Sequence, residues 1–247
     1  MADQPSSGGP TPKRDVSEKQ VPGHLQRELK RLDRRIDEGD PLWPAQLAVG
    51  IAIALHLTLQ DKLIIGPRWL IPAVEGVLLV TLVVYAPSRA SRLEEKHRPF
   101  LWAILALVTL TYLVSLGLLV HYLVTGGEAG GDALIGSGVV LWVTNVLLFS
   151  VIYWELDRGG PLNRFRQRTW PDFQFPQMEN PEWTPMGKEW RPGFVDYLYT
   201  SLTCATAFSP TDTMPITETA KALMGIQGTA AIVTLGLVVA RAVNILG

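Results

Sequence analysis

Two places in this chain set oxygen-bearing side chains inside apolar sequence. The first is Glu75, near the start of the otherwise uncharged run 69–86. An acid at membrane depth is expensive to keep as an anion, so it marks a protonated or paired group by default. Two partners are expected for it: His56 in the preceding apolar run, or Arg68, which would place Glu75 near an interface. The second place is the run Thr206-Ala207-Phe208-Ser209-Pro210-Thr211-Asp212, which is too polar to cross a bilayer and too apolar for an ordinary loop. Other chemistry is poorly represented. H-E-x-x-H, P-loop, G-x-S-x-G and dinucleotide signatures are absent, and the four histidines stand apart at 24, 56, 97 and 121. Cys204 is the one cysteine, which excludes an internal disulfide and a cysteine-based zinc site. The expectation is a protein that is not an enzyme and has no cofactor and no metal.

The elements that must position these groups follow from the distribution of charge. The 247 residues carry 22 Lys+Arg against 23 Asp+Glu, a formal net charge of −1, which excludes a polyanion binder driven by bulk electrostatics and so a nucleic-acid partner. Five windows, 43–60, 69–86, 100–125, 133–154 and 222–240, hold a single charged residue between them, Glu75. That segregation predicts an all-α integral membrane protein, multi-pass in the cell membrane, with lipid as its first partner. Four spans fill a membrane domain over 41–156, and the fifth runs over about 219–245. Gly66-Pro67 predicts a tight hairpin between the first two spans, and the glycine-rich 126–131 loop separates the third from the fourth. Trp43, Trp69, Trp102 and Trp154 fall near span ends, as an aromatic belt requires.

Outside the spans, residues 1–16 read as a disordered tail and 17–40 as a polar amphipathic helix with Leu25, Leu29, Leu32 and Ile36 on one face. That helix would lie on the membrane or against a neighbour, or join a short coiled coil. The 157–193 stretch carries six prolines and three tryptophans, Trp170, Trp183 and Trp190. Proline at that density forbids a regular helix or a central strand, and the aromatics predict an ordered cap on the membrane surface. From 194 to 247 the pattern is a short helix, a segment that its prolines make extended or turn-like, and a long apolar helix. This is the layout of a re-entrant pore loop, whose open backbone is tolerated only where it is buried in protein or lines water.

Asp196-Tyr197-Leu198-Tyr199-Thr200-Ser201 through Thr206, then Asp212, Pro215, Thr217, Ala220 and Lys221, resembles the pore module of two-helix bacterial potassium channels. The family typically reads D-x-L-Y-F-S, then T-x-x-T-x-T-V-G-Y-G-D, then P-x-T-x-x-A-R. Ala240-Arg241-Ala242-Val243 resembles its later A-R-L-V without a gap, so about the last fifth of the chain is covered. Added to the five transmembrane helices read from the distribution of charge, the resemblance implies a re-entrant pore-like helix, a homo-tetramer, and a filter at Thr206, Ala207, Phe208, Ser209, Pro210, Thr211 and Asp212. The filter departs from the family, because Ala207-Phe208-Ser209-Pro210-Thr211 stands where T-V-G-Y-G is usual. No glycine is present to reach the dihedrals of a carbonyl ladder, and Pro210 fixes its own φ and restricts Ser209. Four copies of Thr206, Ser209, Thr211 and Asp212 would instead give hydroxyl rings and a carboxylate ring, which suits small cations with weak selectivity. The family's hinge glycine is also displaced: Ala231 holds the aligned place and Gly228 lies one turn earlier.

Three functions remain open from the sequence. One is a channel-like oligomer with an atypical filter that passes small cations. Another is a non-conducting membrane scaffold or partner subunit that keeps the same fold. The third is a transporter using Glu75 for proton coupling, for which no inverted repeat is visible. Lys+Arg number eight in 1–40, four in 87–99 and six in 157–193, against two, Lys62 and Arg68, on the other face. The positive-inside rule therefore puts the N-terminus and the 157–193 loop in the cytoplasm. With five spans the pore loop then enters from the cytoplasmic face, unlike the family. Asn145 and Gln227 read as hydrogen-bonded links between helices.

Overall fold

In the computed structural model, residues 41–64, 66–67, 69–85, 98–125, 131–166, 170–180, 182, 190–206 and 213–246 are described. The expectations for 1–16 and 17–40, for the 87–97 loop, for Arg68, for Trp183 and for Ala207–Asp212 lie outside these residues. The chain is mostly helical. The helices are α1 (Trp43–His56), α2 (Leu70–Tyr85), α3 (Arg98–Thr125), α4 (Gly131–Leu156), α5 (Pro161–Arg166), α6 (Pro176–Glu179), α7 (Phe194–Ala205) and α8 (Glu218–Leu246). Two short strands, β1 (Phe173–Gln174) and β2 (Met214–Pro215), pair antiparallel.

Three of these helices are long and apolar enough to cross a membrane, over Pro99–Thr125, Leu134–Gly159 and Glu218–Val243. Over the first two expected spans, α1 has 14 residues and α2 has 16 described residues, the chain after Tyr85 lying outside the description. Pro44 opens α1, where its missing N–H costs nothing. Gly66, with φ of 88°, turns the chain between α1 and α2 in a conformation that side chains with a Cβ avoid. The two helices then approach closely enough that a Cβ on Gly50 would touch the Leu79 side chain at 3.6 Å.

Helix α4 is the hub of the bundle, packing against α1, α3, α7 and α8. Its buried residues include Leu141, Phe149, Tyr153 and Trp154, with Leu105, Tyr112 and Leu119 facing them from α3. Gly138 lets α8 come so near that a Cβ there would overlap a Val238 methyl. Asn145 donates to the Tyr112 hydroxyl at 2.9 Å, so it does link α4 to α3, as expected. One tryptophan is misplaced by the belt expectation. Trp43 and Trp69 are 61% and 66% exposed at helix ends, but Trp154 is 2% exposed and packs edge-on to Phe194. The cause is α7, which covers that end of α4.

After α4 the chain reverses through Arg158, Gly159 and Gly160, all with positive φ. In the described part of 157–193, both short helices begin at a proline, Pro161 and Pro176. Its described anchors are two phenylalanines together with Trp190, which packs on one of them. Trp170 is 91% exposed, whereas Phe173 and Phe175 are buried. Phe173 lies 5.0 Å from the Tyr153 ring, and Phe175 lies 5.4 Å from Tyr197 and 5.5 Å from Trp190.

Candidate functional site: the α7–α8 module

Helix α7 begins where Gly193 is extended and the Asp196 carboxylate reaches back to accept the Gly193 N–H at 2.7 Å. Burial pushes the Asp196 carboxyl up from its ordinary range; the Gly193 bond and the nearby Arg164 charge pull against that. The helix has two faces. Phe194, Tyr197, Thr200, Ser201 and Ala205 are buried, while Val195, Tyr199 and Leu202 are exposed at helical spacing.

The buried face fixes the register of α7 against α4. Phe194 meets Trp154 near the end of α4, and the Ser201 hydroxyl donates to Val146 O at 2.7 Å. The Trp142 indole N–H donates to Ala205 O at 3.2 Å. Contacts 194/154, 201/146 and 205/142 make α7 run antiparallel along the second half of α4. Its last turn therefore ends about midway along a membrane-length helix. The Trp142 bond satisfies a carbonyl that the helix end leaves without an intrahelical partner.

Helix α8 closes the other side. Gln227, fully buried, donates from Nε2 to Ser201 O at 2.9 Å and to Ser201 Oγ at 2.7 Å, and its Oε1 accepts from the Tyr153 hydroxyl. One amide thus joins α4, α7 and α8, the role that sequence reasoning assigned to Gln227. Ala231 is buried beside Ala205 and Val146. At Gly228 an added Cβ would stand 3.7 Å from Cys204 Sγ, an ordinary contact, so space at that point does not demand glycine.

Of the seven expected filter residues, Thr206 is within the described structure. It caps α7, with its N–H bonded to Leu202 O at 3.0 Å. Its hydroxyl sits 3.1 Å from both Leu202 O and Thr203 O, so its hydrogen points back into the helix and its lone pairs point away. Ala207, Phe208, Ser209, Pro210, Thr211 and Asp212 lie outside the described residues. The chain resumes at buried Thr213, and Gln174 pairs with Met214 and Phe173 with Pro215. Pro215, which cannot donate, fits a two-residue pairing of this kind.

A buried polar cluster, missed in the sequence, fastens the two ends of the module together. Asp157, fully buried, accepts from Asp172 N at 2.8 Å, Phe173 N at 3.3 Å and the Tyr197 hydroxyl at 2.5 Å. Arg164 lies 3.7 Å from the same carboxylate and 4.8 Å above the Tyr197 ring, and it donates to Trp154 O at 2.6 Å and Pro192 O at 3.3 Å. Asp172 accepts from Arg158 N at 2.9 Å and from the Thr217 hydroxyl at 2.8 Å. Thr217 also accepts from Ala220 N at 3.3 Å, capping α8. The matched threonine of the P-x-T motif thus has a structural job. The charged pair at the end of α4 was visible only as two charges flanking Gly159-Gly160; nothing in their spacing points to burial.

Glu75 is 1% exposed, and among the described residues its hydrogen-bond partner is Thr111 of α3 and not the expected His56. Thr111 of α3 lies 3.0 Å from Glu75 Oε1. The acid is held between α2 and α3.

Against models of known protein families, characterised proteins and solved structures, the chain gives no match.

Proposed function

We propose that this chain is a channel-like membrane protein of five spans plus a re-entrant helix, which assembles around a shared axis and passes small cations past Thr206–Asp212. One observation carries the reading: α7 ends midway along α4, with Ala205 O on the Trp142 indole. At 1.5 Å per residue its 12 residues rise about 18 Å, well short of the roughly 30 Å core that α3, α4 and α8 can cross. The chain is back at the α4 exit end by Met214, beside Gln174. Residues 206–213, at about 3.3 Å each when extended, suffice for that return. A tip at mid-depth must be sheltered in protein or water. The exposed stripe Val195, Tyr199 and Leu202 leads toward Thr206, and a second copy would cover it.

The test is ion flux in liposomes containing the full-length protein. Cation flux above empty vesicles is expected, with cation-over-anion preference reduced in Asp212→Asn. No flux above the control removes the conducting reading. The scaffold reading then stands, and it has its own support: every hydroxyl and amide that α7 and Gln227 bury is already spent on structural bonds.

A further inference from the structure

Glu75 projects from α2 toward α3, with Oε1 3.0 Å from Thr111 Oγ1. The same hydroxyl oxygen stands 2.9 Å from Val108 O and 3.2 Å from Leu107 O. A threonine hydroxyl carries one hydrogen. If Glu75 is an anion, that hydrogen goes to the carboxylate, and Val108 O is left against a lone pair at 2.9 Å. Given to Val108 O instead, it leaves the carboxylate against a lone pair at 3.0 Å. One added hydrogen resolves both contacts. A neutral Glu75 donates to Thr111 Oγ1, and Thr111 donates to its own helix, the bond that threonine favours there.

The surroundings agree with that count. Glu75 Oε2 is buried without a hydrogen-bond partner, which costs far more for half of a carboxylate than for the carbonyl of a neutral acid. Helices α1 and α3 pack against α2. Their titratable side chains are His56 on α1 and Tyr112, His121 and Tyr122 on α3, with Arg98 several turns from Thr111 at the start of α3. Tyr112 is occupied by Asn145, and His56 Nε2 is buried without a partner. Among the described residues no cation forms an ion pair with Glu75.

We propose that Glu75 is a proton-binding site inside the helix bundle, a neutral carboxylic acid whose hydrogen bridges α2 to Thr111 of α3. Releasing that proton to water leaves an anion whose one donor is the Thr111 hydroxyl, which must then give up its bond to Val108 O. The site is independent of whether the protein conducts.

Infrared spectra of the full-length protein in phosphatidylcholine vesicles at neutral pH test this, with and without isotope-labelled glutamate. A protonated-carboxyl C=O band is expected that shifts with the label, is missing from Glu75→Gln, and moves to higher frequency in Thr111→Val, which cannot accept the hydrogen bond. Raising the pH should remove the band, and returning to neutral should restore it. Glu75→Gln keeps a donor toward Thr111, and its folding is checked by circular dichroism. If it fails to fold, the isotope shift together with Thr111→Val decides. A neutral-pH spectrum with carboxylate bands only, or a protonated band insensitive to Thr111→Val, overturns the proposal.

Discussion

Asp157 shows how much one buried carboxylate can organise. Its two oxygens hold the start of β1, the Tyr197 hydroxyl of α7 and the Arg164 guanidinium. Removing it strands a buried cation and three donors at once. Asp157→Ala is therefore expected to cost about 3–5 kcal/mol, read as a lowered unfolding midpoint in detergent. Asp196 makes a prediction of opposite character. Its carboxyl is pushed up by burial, so it favours the fold most below its unfolded titration range, and that contribution fades as pH rises through the folded value. Asp196→Asn keeps an acceptor for the Gly193 N–H and should remove that decline, making the slope of stability against pH more positive over the acid range. A slope unchanged from wild type would assign it to another group.

At the scale of elements, hydropathy alone located the long helices, because 100–125, 133–154 and 222–240 have no charge to interrupt them and the apolar run that a bilayer needs is long. It also located α7, since Pro192 and Pro210 bound a short, largely apolar stretch. Partner choice was not legible. Asp157, Arg164 and Asp172 meet across separations that no spacing rule encodes, and Trp154 misled because the belt rule takes no account of a helix packed over a span end. Gln227 and Asn145 were legible, since an amide in a long apolar helix has few uses other than a neighbouring helix. Close approach at Gly138 is a further element-level fact that only the structure supplies. Gly138→Ala should destabilise by about 1–3 kcal/mol through overlap with Val238, and adding Val238→Ala should recover most of that loss in the same unfolding assay. Independent, additive effects of the two changes would mean that α4 and α8 do not meet there.

At the scale of the whole molecule, α7 starts, β2 pairs and α8 starts at the end where α4 exits, so the entry and exit of the loop share one side with the described part of 157–193. The positive-inside count assigns that side to the cytoplasm. Exposed Trp170 offers a handle on it. In a Cys204→Ser background, Trp170→Cys should react with a membrane-impermeant maleimide only after cells are permeabilised. Reaction in intact cells would place the loop outside, in the orientation usual for the family that its motifs resemble.

The helices differ in length in a way that bears on the surrounding lipid. At 1.5 Å per residue, α1 with 14 residues and α2 with 16 rise about 21 and 24 Å, beside an α3 of 28 residues that rises about 42 Å. Where the proposed five-span arrangement holds and α2 ends at Tyr85, a bilayer of uniform thickness cannot match both edges, and acyl chains bordering the hairpin are compressed or disordered relative to those beside α3. Reconstitution into lipids of graded chain length should then give a stability optimum in shorter-chain bilayers than α3, α4 and α8 alone would prefer. The protein should in turn be drawn toward thin regions of a mixed membrane.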